Sequence, residues 1–288
     1  MKARAKTIQI FLPDGNPRGI RIAEITTRIM QVIEVPRSLL SDFLGMPESN
    51  QVAVYFLIGA AEDGSQETVY VGQTGDLDGR LKKHDKEKEF WERALILISR
   101  TNSLTQTHTL FLEWYCLQAI RSAKRFQDEN GNRGSRPFTP APLEADCLEI
   151  FETGHALLST LGYPLFDPVA KVQTGDTEPE VFVCTASGAN GRGMYTPDGF
   201  VVLKGSKGRL EMVPSLANTP NGTNRLSLIE SGVLKPEGEM VVFTADHLFR
   251  TPSGAAIALL GRTANGWIEW KSHQGQTLDE LKRQKVGA

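Results

Sequence analysis

The chain has 288 residues, which is enough for two ordinary domains, each with its own core. Hydrophobic residues make up 40% and charged residues 23%, the balance of globular proteins that fold in water. The formal net charge of −2 excludes a protein-wide positive field, so any contact with phosphate groups must come from local basic patches.

The first fifty residues favour β-structure. The segment KTIQIFL alternates between apolar and polar residues, PDGNP is typical of a turn, and GIRIAEI and MQVIEVP read as further strands. We expect residues 1–50 to form an N-terminal β extension packed on the domain that follows.

Residues 51–166 alternate between strand and helix patterns. QVAVYFLIGA and TVYVGQT predict the two strands of a hairpin around the turn-rich AEDGSQE. A helix is expected from Asp76, whose carboxylate suits an N-cap, and RALILISR favours a buried strand. Two long amphipathic helices, LTQTHTLFLEWYCLQAIRSAKRF and LEADCLEIFETGHALLSTLGY, flank the loop QDENGNRGSRPFTPAP.

Residues 167–180 predict a linker, because the segment has few apolar anchors. Beyond it, residues 181–288 predict a second small α+β domain with short strands and a helix that Thr251 caps and Pro252 opens. NGWIEWK is typical of a turn and a strand, and GANGRG of a hairpin turn. Lys204, Lys207 and Arg209 indicate a basic hairpin.

Two tyrosines and two basic residues of the 51–166 region could carry chemistry. Tyr55 and Tyr70 lie on the predicted hairpin, where packing is the usual role of a tyrosine. Arg80 and His84 are four residues apart, so they project from one face of the predicted helix. A solvated charged face would account for the lysines of this helix, but less well for Arg80, which follows a glycine turn and precedes a core-type leucine.

A carboxylate interrupts an apolar face of the longest helix. Leu110, Glu113, Leu117 and Ile120 fall at helical spacing, so Glu113 takes a position where the period favours an apolar side chain. A carboxylate turned toward a core needs a metal ion, an arginine or hydrogen-bond donors. Pairing with Arg121, or extension to the edge of the domain, is the alternative.

These residues occur in the order of a known motif. AVY at 53–55 and YVG at 70–72 resemble the two halves of the motif that names the GIY-YIG nucleases, with Ala53 where the name has Gly. The resemblance continues through GQTGDLDGRLKKH to Glu113 and to an asparagine in the next loop, Asn130 or Asn132. It covers roughly residues 51–135 and implies an α+β nuclease fold, in which helices flank a mainly antiparallel sheet.

The resemblance also implies a role for each residue. Arg80 would face the scissile phosphate, with His84 assisting the attacking water, and Glu113 would hold one divalent metal ion, Mg²⁺ or Mn²⁺. Tyr55 would act as general base or position the water. Tyr70 would hydrogen-bond within that network, and Asn130 would steady the site from its loop. These residue types suit the chemistry, because phosphodiester cleavage requires charge to be neutralised on the phosphoryl oxygens and a water to be deprotonated.

The C-terminal half carries a second resemblance. YTPDGFVVLKGS, LIESGVLK, TPSGAAIALLGRTANGWIEWK and QTLDELKR resemble a domain of unknown function that is appended to GIY-YIG nucleases. The last two segments also resemble a module associated with restriction adenine methylases, so residues 181–288 are a candidate reader of DNA or of its modification. Packing in the core of a small α+β domain is the favoured explanation for most of these residues, Trp267 and Trp270 included.

The remaining signals concern the compartment. Cys116, Cys147 and Cys184 match no zinc or disulfide spacing, so we expect free thiols in a reducing environment. No stretch has the length of a transmembrane helix, and the apolar N-terminal run stops at Pro13, unlike a signal peptide. We therefore expect a cytoplasmic protein without a membrane partner.

The sequence predicts a divalent-metal-dependent DNA endonuclease, acting in restriction, defence or repair. Duplex DNA is the expected partner, and a homo-oligomer is compatible with the sequence. The alternative is a nucleic-acid-binding regulator that keeps the nuclease fold but cleaves little. The slightly acidic net charge favours a narrow or regulated substrate in either case.

Overall fold

The computed structural model describes residues 5–60, 67–131, 134–169 and 180–284. The chain divides into two compact units, Met1–Pro168 and Val169–Ala288, and the α+β class expected from the sequence is confirmed. No helix of the described residues is both long and apolar enough to cross a membrane. Most of the predicted linker, residues 170–179, lies outside the described residues.

A seven-stranded sheet forms the centre of the first unit. Its strands lie in the order β1-β2-β3-β6-β4-β5-β7, and all neighbours are antiparallel except β5 and β7. The strands are β1 (Ile8–Phe11), β2 (Arg21–Ile25), β3 (Met30–Pro36), β4 (Ala53–Ala60), β5 (Glu67–Thr74), β6 (Arg93–Ser99) and β7 (Gln127–Asp128). The N-terminal strands therefore belong to the same sheet as the predicted hairpin.

Helices cover both faces of this sheet. The elements are α1 (Leu40–Leu44), α2 (Leu77–Glu87), α3 (Gln106–Ala123) and α4 (Ala141–Thr160). Alternate residues of β4 separate the two faces: Val54 and Phe56 pack with α3 and α4, whereas Tyr55 and Leu57 pack with α1 and α2. Because both faces are covered, the central strands are almost uniformly apolar.

The second unit has two small sheets. The first has the order β14-β10-β9-β8 and the second β11-β13-β12. The strands are β8 (Val181–Cys184), β9 (Gly191–Thr196), β10 (Gly199–Val202), β11 (Lys207–Arg209), β12 (Leu234–Glu237), β13 (Met240–Phe243) and β14 (His247–Phe249). The helices are α5 (Pro214–Ala217), α6 (Pro220–Glu230), α7 (Pro252–Leu260), α8 (Gly266–Glu269) and α9 (Leu278–Lys282).

Two local predictions for this unit are wrong, and a third is confirmed in part. NGWIEWK is not a strand: Asn265 caps the short helix α8, accepting from the Trp267 amide at 3.2 Å. The basic hairpin does not form, since β11 pairs with β13 and belongs to a different sheet from β10. GANGRG is a hairpin turn in part: residues 188–190 end the loop that joins the antiparallel strands β8 and β9, and residues 191–193 belong to β9.

Candidate active site

The register of the β4–β5 hairpin places Tyr55 directly opposite Gly72. The Tyr55 side chain is fully buried and lies over the α-carbon of Gly72. A Cβ at position 72 would overlap Oη and Cζ of Tyr55 and would lie 2.9 Å from Cε2. The ring of Tyr55, from the first half of the motif, therefore fits only because the second half has glycine at position 72.

Helix α2 brings Arg80 and His84 onto the Tyr55 hydroxyl. Asp76 caps the helix as predicted, its carboxylate accepting from the Gly79 amide at 3.0 Å. Arg80 Nε then donates to Tyr55 Oη at 3.1 Å, and His84 Nε2 lies 2.8 Å from the same oxygen. The buried Leu77 and Leu81 anchor the helix on the sheet, which turns the Arg80–His84 face toward the tyrosine.

Tyr70 extends this cluster toward the surface. Its ring meets the His84 ring edge to face, with the centroids 5.1 Å apart, and lies 6.3 Å from the ring of Tyr55. The ammonium of Lys88 lies 4.4 Å from the centre of the Tyr70 ring, within the range of a cation–π interaction. The cluster thus has a second fixed positive charge beside that of Arg80.

Glu113 and Asn130 meet strand β5 along its outer edge. The Val69 carbonyl accepts from the Glu129 amide at 2.9 Å, and β7 pairs only with this end of the strand. Two residues further, Asn130 Oδ1 accepts from the Val71 amide at 2.9 Å and Asn130 Nδ2 donates to the Val71 carbonyl at 2.7 Å. Two residues further again, the Gln73 backbone amide lies near enough to the Glu113 carboxylate to lower its pKa.

Three successive outward-facing groups of β5 therefore face a strand, an amide side chain and a carboxylate in turn. This explains how Glu113 comes near the Tyr55 cluster even though α3 packs on the opposite face of the sheet. Among the described residues, the outer edge of β5 has no backbone partner after Val69, so the Glu113 side chain of α3 reaches around this edge to Gln73.

Burial dominates the electrostatics of the cluster. It raises the pKa of the Tyr55 phenol well above its ordinary value, although the hydrogen bond from Arg80 acts in the opposite direction. Burial and the charges of Arg80, Lys88 and Lys83 lower the pKa of His84 to about 4. Burial raises the pKa of Glu113, and Arg80 and the Gln73 amide partly offset that increase.

The structure thus brings Tyr55, Tyr70, Arg80 and His84 into one cluster and places Glu113 and Asn130 on the adjoining strand edge. Asn132, the alternative asparagine, lies outside the described residues. The prediction of an apolar face around Glu113 is correct only in part, because Leu117 and Ile120 are buried but Leu110 is 40% exposed. The sequence reasoning missed Lys88 and Gln73, and Gln73 acts through its backbone amide, which no residue pattern specifies.

Glu113 suits a metal site that has a single protein carboxylate as ligand. Among the described residues, no three His, Cys, Asp or Glu side chains are grouped to hold an ion, which argues against a cage built from side chains alone. Glu113 is a half-buried carboxylate beside Arg80. A single hard oxygen ligand fits Mg²⁺, which keeps most of its waters and binds through one or two carboxylates together with substrate phosphates.

Comparison with known proteins identifies the second unit only. Residues 182–282 match the family model described as Domain of unknown function (DUF4357). The predicted resemblance to that type of C-terminal domain is confirmed. No GIY-YIG family model matches the first unit, and neither a curated protein nor a solved structure matches the chain.

Proposed function

We propose that the protein is a divalent-metal-dependent endonuclease that hydrolyses phosphodiester bonds of DNA with a GIY-YIG type of site in its first unit. One observation carries the proposal: the Tyr55 hydroxyl is bonded to both Arg80 and His84, at 3.1 Å and 2.8 Å. One hydrogen bond would satisfy a buried phenol that served only in sheet packing. The Tyr55 oxygen is instead hydrogen-bonded to both a guanidinium and an imidazole.

Arg80 is suited to the scissile phosphate. Its Nε donates to Tyr55, and its guanidinium also has a side-chain hydrogen bond with Tyr70. The planar fork has five N–H donors, so donors remain for phosphoryl oxygens while the two tyrosines hold its orientation. Charge on those oxygens grows in the transition state of phosphoryl transfer, so a fixed cation stabilises the transition state more than the bound substrate. Lys88, held over Tyr70, adds positive charge to the same side of the cluster.

Tyr55 and His84 form a path for the proton of the attacking water. The raised pKa of Tyr55 keeps its phenol protonated at neutral pH, so the phenol becomes a base only by passing on its own proton. His84 Nε2 is the acceptor within reach, and its lowered pKa keeps the imidazole neutral and able to accept. A substrate phosphate beside Arg80 and Lys88 would offset their charges and raise the proton affinity of His84.

Glu113 is the residue that would hold the metal ion. When bound there, Mg²⁺ or Mn²⁺ supplies Lewis-acid neutralisation of charge on the phosphoryl oxygens. The Gln73 amide orients the carboxylate, and Asn130 fixes the segment of β5 that carries this amide. We propose DNA as the substrate, because the resemblance to GIY-YIG nucleases implies it and because Arg80 and Lys88 place two cations at the cluster.

The test is DNA cleavage with and without a metal ion. The full-length protein is incubated with labelled duplex, branched and methylated DNA in Mg²⁺, Mn²⁺ or EDTA. Cleavage is expected only with a divalent ion, and Glu113→Gln should abolish it while thermal unfolding changes little. The matched control, Glu152→Gln, alters an exposed carboxylate of α4 and should cleave normally.

Metal binding provides a readout that is independent of cleavage. Titration with Mn²⁺, followed by the electron paramagnetic resonance of the free ion, should show a site in the wild type that Glu113→Gln lacks. DNA binding without cleavage under every metal condition would favour the regulator that keeps a nuclease fold. Full cleavage by Glu113→Gln would remove the metal-ligand assignment.

A further inference from the structure

The second unit contains a cleft of about 250 Å³ between the β9–β10 turn and the starts of α7 and α8. Its walls include Tyr195, Trp267, Arg250 and Arg283, none of which belongs to the Tyr55 cluster. The cleft is smaller than the sites of drug-sized ligands, which begin at about 300 Å³. It therefore has room for one planar group with a short substituent, and not for a helical segment of nucleic acid.

One wall of the cleft is aromatic. Tyr195 is 41% exposed, although its neighbour Met194 on β9 is buried, so strand alternation turns the tyrosine outward. Its ring meets that of Trp267 edge to face, with the centroids 5.4 Å apart. Trp270, three residues later, is fully buried and donates Nε1–H to the Pro252 carbonyl at 3.0 Å. Core packing accounts for Trp270 and for the part of Trp267 that packs against the same core, but not for the exposed Tyr195 or for the Trp267 surface that lines the cleft.

Positive charge lies beside the aromatic wall. The Arg283 guanidinium lies 3.5 Å from the centre of the Trp267 ring and also pairs with Asp279 at 3.5 Å. Arg250 is exposed and has neither a side-chain hydrogen bond nor an ion pair within the part of the chain that the structure describes. The rim also carries the Asp198 carboxylate, so its charge is mixed and Arg250 is the cation available to a ligand.

Two glycines hold the walls in place. Gly199, in the β9–β10 turn, has φ +141°, and a side chain there would overlap the Phe249 carbonyl. Gly266, at the start of α8, lies against the Pro252 backbone with no room for a Cβ, and its amide donates to Ser253 Oγ at 3.1 Å. Close backbone contacts thus fix the relative positions of Tyr195 and Trp267, which reduces the entropy lost when a ligand stacks on them.

We propose that this cleft binds one unpaired nucleotide, with its base stacked against Tyr195 and Trp267 and its phosphate paired with Arg250 and Arg283. Every base has a π face, so an aromatic platform with arginines beside it accepts bases with little sequence preference. The proposed function supplies the expected source, which is an unpaired position in DNA. A free nucleotide has the same chemistry, and the experiment separates the two sources.

Binding is measured on the full-length protein in EDTA, where metal-dependent cleavage does not interfere. The probes are a fluorescein-labelled 12-nucleotide single strand and the corresponding hairpin duplex, both followed by anisotropy, and dAMP, followed by calorimetry. Trp267→Ala and Arg250→Ala should each weaken single-strand binding by about fivefold or more. Trp267→Phe should restore most of the affinity because it keeps an aromatic face. Arg192→Ala removes an exposed arginine of β9 outside the cleft and serves as the charge-matched control.

The outcomes are separable. If the variants lose affinity for the single strand alone, the cleft binds an unpaired position within a strand. If they lose affinity for dAMP to the same extent, the cleft binds a free nucleotide. Wild-type affinity of folded Trp267→Ala and Arg250→Ala for every probe would overturn the proposal, as would equal weakening by Arg192→Ala. Binding is measured in EDTA and does not depend on cleavage. Failure of the nuclease proposal would therefore appear in cleavage assays alone.

Discussion

The phenol ring of Tyr55 occupies the volume that a side chain at position 72 would need. Tyr55 and Gly72 face each other in the β4–β5 register, and the ring lies across the glycine α-carbon. The two halves of the motif are thus one packing unit: the tyrosine reaches Arg80 and His84 only because its partner has no Cβ.

Gly72→Ala should therefore displace Tyr55. Overpacking of this kind typically destabilises a protein by about 1–3 kcal/mol. Cleavage should fall by at least about tenfold, because misplacement of a positioning group by about 1 Å costs up to a hundredfold in rate. Gly75→Ala is the matched control, since a Cβ there meets nothing within 4 Å. Thermal unfolding and single-turnover cleavage of the two variants check the prediction, and equal behaviour would contradict it.

The sequence predicted much of the frame around this pair because that frame depends on local rules. The β4–β5 hairpin, the Asp76 cap of α2 and the Thr251 cap of α7 follow from strand runs and capping residues, and all three are confirmed. The order of the motif residues was likewise visible without a structure.

Features that depend on distant partners were not predicted. The aromatic residues of NGWIEWK favour a strand, which is the predicted structure. In the folded protein the Asn265 cap and the hydrogen bond from Trp270 to the Pro252 carbonyl outweigh that propensity, so helix α8 forms. The basic residues of β11 pair with β13 rather than with β10, and no local pattern specifies that choice. The Gln73 amide that lowers the pKa of Glu113 is a backbone group at a strand end, so no side-chain pattern encodes it.

Arg80→Ala should reduce the rate of cleavage far more than the affinity for DNA. Removal of one donor that acts on developing charge typically costs about a hundredfold or more in rate. Arg80→Lys should recover little, because an ammonium cannot both bond Tyr55 and present a fork to the phosphate. Single-turnover cleavage and anisotropy, measured separately, distinguish the two effects.

Lys82→Ala and Lys83→Ala are the controls on the same helix. Both lysines pair with carboxylates of α2, at 2.8 Å to Asp78 and 3.8 Å to Glu87. Their loss should weaken DNA binding in a salt-dependent way and leave the chemical step intact. Weakened binding by Arg80→Ala with unchanged single-turnover cleavage would make Arg80 a docking residue only.

Asn130→Ala should loosen the strand edge on which Glu113 sits. It leaves both backbone groups of Val71 without their present partners, which costs about 1–3 kcal/mol where water cannot replace them. Amide hydrogen exchange should accelerate at Val71 first. Gln127→Ala, an exposed change on the neighbouring β7, should leave that rate unchanged. Unaltered exchange in Asn130→Ala would contradict the role assigned to the side chain.

Glu34 should be the most sensitive carboxylate of the first unit. It is fully buried, forms an ion pair with Arg21, and accepts from Arg93 at 2.8 Å and from Tyr163 at 2.9 Å. Glu34→Gln should destabilise the protein by about 2–4 kcal/mol, below the upper values for buried pairs because both guanidiniums are partly exposed. Glu149→Gln, which breaks the exposed pair with Arg28, should cost less than about 1 kcal/mol.

Tyr163 reports on the same change without unfolding. Burial raises its pKa, and so does the Glu34 carboxylate, through its charge and its hydrogen bond. Glu34→Gln should therefore lower the pKa of Tyr163, which ultraviolet difference spectra of the phenolate would detect. Loss of stability without this shift would mean that the substitution acts through packing rather than through the lost charge.

His84 should make the stability of the protein depend on pH in a defined window. Its folded pKa of about 4 lies below the ordinary value of 6.5, so between these values the unfolded chain binds a proton that the folded protein does not. The free energy of unfolding therefore decreases as pH falls from 6.5 to 4, by about 3 kcal/mol at most, because His84 binds a proton in the unfolded chain but not in the folded protein.

His84→Gln should remove that dependence, since the amide does not titrate but can still bond Tyr55. Denaturant unfolding at pH 7 and pH 4.5 measures the effect: the stability of the wild type relative to His84→Gln should decrease at the lower pH. The carboxylates titrate in both proteins, so their contributions to the pH dependence cancel when the two stabilities are subtracted. Proton resonances of the imidazole give the folded pKa directly. A midpoint at or above 6.5 would contradict the lowered pKa of His84 and, with it, the predicted loss of stability between pH 6.5 and 4.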